Sequence, residues 1–296
     1  MKIFLIFVFI FILFFCCSGQ KDKKLVNKNI LTVSIPPQKY LVERIVGNDY
    51  LINVLIPENF NPHIFEPSLK QIKDLSNSEF YFIVGTLPIE KNLIERIKKI
   101  NPDLKIINTS KNINFIKGEE HHHKDEQHNQ SEEEEEVEPH IWLSPQCVKI
   151  MLENIYNSLL EINRDAEEKY KKNYLLFLSE INELENRIKK ISEEKKNKKF
   201  VIYHPNLTYF AEHYKFEQIS IEYEGKEPEI FKLKEIIDIA RREEIKIIFV
   251  QIQFPKERAK SIANEIKGNV IEFNPLEYDW LKNMNLIVDV FDKYLK

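Results

Sequence analysis

Glycine is nearly absent from this 296-residue chain, with six in all and none in a G-x-x-x-x-G-K-[ST], G-x-G-x-x-G or G-x-S-x-G pattern. Phosphate-cradling loops, dinucleotide turns and nucleophile elbows therefore have no support. Cysteine is scarcer still, at three, and two of these, Cys16 and Cys17, are adjacent near the N-terminus. Cys147 thus has no partner within a folded domain, which excludes a disulfide framework and leaves a buried, inert thiol as the expectation. An excess of positive charge is missing too: 43 Lys+Arg face 47 Asp+Glu, for a net charge of −4. No global basic field exists to neutralise phosphates, so nucleic acid is not an expected partner. Nor is there an apolar run of membrane-spanning length. The longest, residues 3–15, would reach about 20 Å as a helix against a hydrocarbon core of about 30 Å.

That run, preceded by Lys2 and followed by Cys16, Cys17 and Lys21, reads as a secretory signal over residues 1–16 with a tether over 17–29. A cysteine at the end of the run resembles the acylation site of bacterial lipoproteins. It makes Cys16, or Cys17, the expected lipid anchor to the membrane of an extracytoplasmic, periplasmic or cell-surface protein. Charge is also unevenly placed. Residues 119–138 hold ten carboxylates against Lys124 alone, a local −9 that leaves +5 for the remainder of the −4 chain. The same stretch carries His121, His122, His123 and His128, half of the eight histidines. With almost nothing apolar to bury, a His-rich acidic loop over 118–139 is expected, offering auxiliary exchangeable metal sites.

From residue 30 short β-rich runs alternate with amphipathic helical stretches. Strands are expected at 31–35, 51–56, 80–84 and 104–108, with helices at 40–46, 69–75 and 93–100 between them. Such alternation argues an α/β lobe with a mainly parallel sheet, residues 30–148. Ser144 and Pro145 form an N-cap and first-turn pair that opens a helix to about 160. From Arg164 to about Glu194 neither Pro nor Gly occurs, and Tyr170, Tyr174, Phe177, Ile181, Leu184, Ile188 and Ile191 recur at spacings of three and four. At 1.5 Å per residue this is a stiff helix of about 45 Å, long enough to bridge two lobes within a linking segment at 149–198. The alternation resumes over 199–296, with strands at 200–203, 218–222, 245–252 and 269–273. Two lobes joined by one long rigid helix are therefore expected. Their ligand would sit in the interlobe cleft, outside the carboxyl ends of the strands.

Three histidines fall in turns at element ends. His63 lies past the second expected strand, His140 between the acidic tract and Ser144, and His204 at the end of the strand at 200–203. Singly each is ordinary, and spacings of 77 and 64 residues say nothing about convergence. Three convergent imidazoles with an open position would nonetheless suit tetrahedral zinc. No H-E-x-x-H, C-x-x-C or EF-hand spacing adds local support. His213, on a helical stretch, reads as structural.

The segments at 34–47 (S-I-P-P-Q-K-Y-L-V-E-R-I-V-G), 61–68 (N-P-H-I-F-E-P-S) and 139–145 (P-H-I-W-L-S-P) are similar to the zinc/manganese solute-binding lipoproteins of bacterial metal ABC importers. His204 with Tyr209 and Phe210, the stretch at 225–228 and Asn274-Pro275-Leu276 continue the same family order. The resemblance implies two (β/α)4 lobes, a metal in the cleft between them and delivery to a membrane permease by a monomer. It also implies His63, His140 and His204 as ligands. The fourth family position is an aspartate where this chain has Asn274, so Asn274, Asp279, a histidine of the acidic loop or water stands open for that place. Gln251 replaces a glutamate common in relatives, and Glu66 is a candidate acceptor that orients the His63 ring.

Histidine at the third position resembles the zinc branch, and nitrogen-rich ligation favours Zn²⁺ over Mn²⁺. The expected function is capture of zinc and its delivery for uptake, not catalysis. The alternatives are a manganese-binding member of the same family, a zinc-dependent hydrolase using an open coordination position, and an adhesin-like side role.

Overall fold

The computed structural model describes residues 30–118, 137–222 and 230–296. The signal segment with Cys16 and Cys17, most of the acidic tract including His121, His122, His123 and His128, and the stretch at 225–228 lie outside the described residues.

Four parallel strands, β1 (Ile30–Val33), β2 (Leu51–Val54), β3 (Phe80–Ile83) and β4 (Lys105–Asn108), pair in the order β2-β1-β3-β4. A second parallel sheet, from β5 (Lys199–Ile202), β6 (Glu217–Ser220), β7 (Ile247–Gln251) and β8 (Asn269–Phe273), repeats that order as β6-β5-β7-β8. The central strands β3 and β7 are buried at every position, as strands covered by helices on both faces must be. In each sheet successive crossovers leave the first strand in opposite directions, which opens a crevice at the carboxyl ends of β1/β3 and β5/β7.

The helices follow their local signals. Proline in the first turn starts α1 (Pro36–Val46), α3 (Pro88–Ile100) and α4 (Pro145–Ile162), where its missing N–H costs nothing. Two of these begin several residues ahead of their apolar periodicity for that reason. Ser68 and Gln71 form a capping box on α2 (Leu69–Ser76). Gly47 ends α1 at φ +64°, returning its N–H to the Glu43 carbonyl. Ser144 departs from its expected role: it stands at the N-cap of α4, but its hydroxyl is bonded to His213 Nδ1 at 2.8 Å rather than to the helix. That contact gives His213 a structural place on α6 (Thr208–Tyr214).

The long helix is real but shorter at its start. Residues Arg164–Ala166 form a 3-10 turn, and α5 runs from Glu167 to Glu194, about 42 Å at the standard rise. Its apolar stripe of Tyr170, Phe177, Ile181, Leu184, Ile188 and Ile191 is buried. It packs on α1 and α4 beside the first sheet and on α6 and α9 (Trp280–Tyr294) beside the second. One apolar core consequently runs through both lobes, from Leu31 and Phe82 through Phe177 to Phe249 and Phe291. A second core lies between the β5–β8 sheet, α7 (Ile230–Arg242) and α8 (Glu257–Ile266). No described helix is long and apolar enough to cross a membrane.

Candidate metal centre

His63 sits on the turn that follows β2, where Pro57, Pro62 and Pro67 forbid regular structure. Asn61 Oδ1 accepts the His63 N–H at 3.0 Å, the local turn that aims the ring. His140 precedes a 3-10 turn at Ile141–Leu143 and is 3% exposed. Its segment is held to the first lobe by Thr86 Oγ1, which donates to the Pro139 carbonyl at 2.7 Å. His204 follows β5 and is clamped by Gln251 at the end of β7. The Gln251 carboxamide accepts the His204 N–H at 3.3 Å and donates to its carbonyl at 2.7 Å. The amide makes both bonds, which a carboxylate would not.

These three turns bring the rings together. Pairwise centroid distances are 5.1, 5.2 and 5.2 Å, and one ligand atom from each ring lies within 4.8 Å of the others. The Nε2 atoms of His63 and His140 are 3.2 Å apart. Zinc–nitrogen bonds of about 2.05 Å at the tetrahedral angle would separate donor atoms by about 3.3 Å. His204 Nε2 is buried without a hydrogen-bond partner, a cost that coordination would remove. Among the described residues no other group of His, Cys, Asp and Glu has this property.

Residues 31–294 match the family described as ZnuA, zinc-uptake complex component A, periplasmic. The chain belongs to this family. It is 26% identical over 263 residues to the high-affinity zinc uptake system protein ZnuA of Bacillus subtilis, covering 88% of this chain and 82% of that one. The zinc-binding lipoprotein AdcA of Streptococcus pneumoniae is 26% identical over 268 residues, and there the chain spans 52% of the longer relative. A crystal structure of a ZnuA superposes with a TM-score of 0.82 at 32% identity, over 91% of this chain and all of that one. The laminin-binding adhesin Lmb of Streptococcus agalactiae, at 21% identity and a TM-score of 0.75, shares the fold.

In this member of the ZnuA family, two carboxylates outside the ring cluster set the tautomers. Glu138 Oε1 is 2.5 Å from His140 Nδ1 and also accepts the His140 N–H. Glu222 Oε2 is 2.9 Å from His204 Nδ1. With Nδ1–H donating outward, Nε2 keeps its lone pair for the centre. Burial pulls the His140 pKa below the ordinary 6.5, against the pull of Glu138, so the neutral ring is favoured. For Glu138 burial acts upward, but the charge and hydrogen bonds of His140 outweigh it and hold the carboxyl below its usual range.

Neither carboxylate is marked by sequence pattern. Glu138, two residues before His140, hides at the edge of an acidic run, and Glu222 lies eighteen residues beyond His204. Tyr209 is part of the family order noted above, but its role is likewise unmarked by pattern. Its hydroxyl donates to the Glu138 carbonyl at 3.0 Å and accepts the Ile116 N–H at 3.2 Å, bracing both stems of the acidic tract. Glu66, by contrast, is exposed on the loop before α2. Asp279 accepts the Lys282 N–H as the N-cap of α9. Asn274 Oδ1 takes donors from Leu276 N–H and Gln253 Nε2, both at 3.0 Å. Cys147 is buried, and burial pushes its thiol up to about 12, keeping it protonated.

The lobes meet tightly beside the rings. Trp142 Nε1 donates across to the Pro275 carbonyl at 2.8 Å, and Trp280 Nε1 returns to the Trp142 carbonyl at 2.6 Å. Both indoles are 1% exposed. This reciprocal clasp, two residues from His140, ties the first lobe's ring to the second lobe and argues against wide opening.

Proposed function

We propose that the chain captures Zn²⁺ outside the cytoplasm through His63, His140 and His204 and hands it to the permease of an ABC-type importer. The observation that carries the reading is the meeting of three imidazoles from three distant turns, with a buried His204 Nε2 that has no other partner. Membership of the ZnuA family and relatives named for zinc uptake and zinc binding support the same ion and the same role. Three nitrogen donors favour zinc over the harder manganese. Binding, rather than hydrolysis, also suits the two nearby carboxylates. Glu138 and Glu222 are both engaged with ring Nδ1 atoms, so neither is left to take a proton from a metal-bound water. Acylation at Cys16 or Cys17 would keep the protein beside the permease, and His121, His122, His123 and His128 would act as weaker collecting sites.

Competitive zinc titration of the purified protein tests the reading, with alanine at each of the three histidines. One tight equivalent is expected in the parent, lost in each variant while weaker sites on the acidic tract persist. Retention of the tight equivalent in all three variants refutes it.

A further inference from the structure

The geometry points to Asn206 as the fourth donor to the metal, through its side-chain Oδ1, an inference that rests on the three-histidine reading. The other described candidates are otherwise engaged. Asn274 Oδ1 already accepts from Leu276 N–H and Gln253 Nε2, and Asp279 caps α9. Asn206 is different in kind. Its backbone N–H donates to the His204 carbonyl at 2.8 Å, so it shares the turn that presents His204. The residue is 1% exposed, and both Nδ2 and Oδ1 are buried with no hydrogen-bond partner. It lines the same small cavity as His63, His140 and His204.

A carboxamide sealed from water with both ends unused is a standing penalty, and native interiors seldom keep one without a compensating state. Coordination of Oδ1 would relieve the acceptor half of that penalty and polarise the amide. Gln253 Oε1 is also without a donor at this cavity, but its Nε2 is tied to the Glu58 carbonyl and to Asn274 Oδ1. Of the two, only the Asn206 carboxamide is free to reorient without breaking a hydrogen bond.

Charge bookkeeping agrees. Glu138 and Glu222 behind the rings balance the two charges of the ion, and a neutral amide completes the shell without leaving an excess carboxylate in a closed site. An amide oxygen also holds zinc less firmly than a carboxylate would, which suits an ion that must be handed on.

Cobalt(II) loaded into the full chain reads the coordination shell directly. The parent should give tetrahedral bands that do not respond to azide or to pH between 6.5 and 8.5. Asn206→Ala should open the position to water, so that azide shifts the bands and ionisation of the bound water, near pH 7, makes them pH-dependent. Zinc affinity should fall at least as far as loss of an orienting partner costs, about tenfold or more. Meanwhile the metal-free variant should melt no lower than the parent, because an unpartnered amide has been removed. Asn206→Asp should restore azide resistance. The inference is overturned if the parent bands respond to azide as the alanine variant's do, if Asn206→Ala behaves as the parent, or if Gln253→Ala is the change that opens the shell. Bands that survive His204→Ala would instead defeat the histidine reading beneath it, and this inference with it.

Discussion

Glu222→Ala probes how far the centre depends on a residue that touches no metal. The carboxylate is 8% exposed and accepts from His204 Nδ1 at 2.9 Å. Its removal leaves the Nδ1–H without an acceptor in a mostly buried setting, at about 1–3 kcal/mol. It also lets the ring rotate or place its proton on Nε2, where it would block coordination. Losses of orienting partners at metal sites run about ten- to a hundredfold in affinity, or about 1.4–2.7 kcal/mol. Competition against a chromophoric chelator at pH 7.5 measures this, with Glu222→Gln as the intermediate case, since the amide still accepts but carries no charge. A double-mutant cycle with His204→Ala isolates the route. If Glu222 acts only through His204, removing it from the His204→Ala protein should weaken the residual binding no further. Affinity within threefold of the parent, or an equal loss in the His204→Ala background, refutes the reasoning.

Two further tests address the lobe contact and the proton. Trp280→Phe keeps most of the buried ring but strands the Trp142 carbonyl, so stability should drop by about 1–3 kcal/mol; an unchanged melting temperature refutes the clasp. Zinc affinity should decline on acidification, because coordination needs neutral imidazoles, and a flat profile from pH 7.5 to 5.5 counts against the site. In the metal-free protein, burial holds the His140 pKa below 6.5. The unfolded chain therefore takes that proton first, and the stability due to the neutral ring is lost as pH falls through 6.5 toward the folded value. Glu90, fully buried and pushed up to about 7, works in the opposite sense, since its folded form holds a proton that the unfolded chain releases above 4.5. Urea midpoints of the parent and of His140→Gln across that range should separate the two. The variant should lose less stability on acidification, and identical pH slopes refute the assignment.

Much of the fold is legible before any coordinates. The helix that opens at Pro145 and the stripe along α5 are written in signals spanning a few residues each, whereas α1 and α3 begin at Pro36 and Pro88, ahead of the apolar periodicity that placed them at 40 and 93. The departures are local as well. Ser144 serves His213 instead of its helix, and the first residues of the long helical pattern tighten into a 3-10 turn. A buried hydroxyl takes whichever partner tertiary packing brings to it, and sequence spacing cannot name that partner.

The centre divides along the same line. Its histidines could be named as candidates from their motifs and their places at element ends. Their meeting at about 5 Å depended on two sheets docking on α5 and on the Trp142–Trp280 clasp. Glu138, Glu222 and the unsatisfied amide of Asn206 belong wholly to the tertiary structure. Periodicity and capping act over one or two turns of chain, and sequence alone determined whatever they control. Which donors find acceptors inside a closed cavity is settled only when segments more than a hundred residues apart have excluded the water between them.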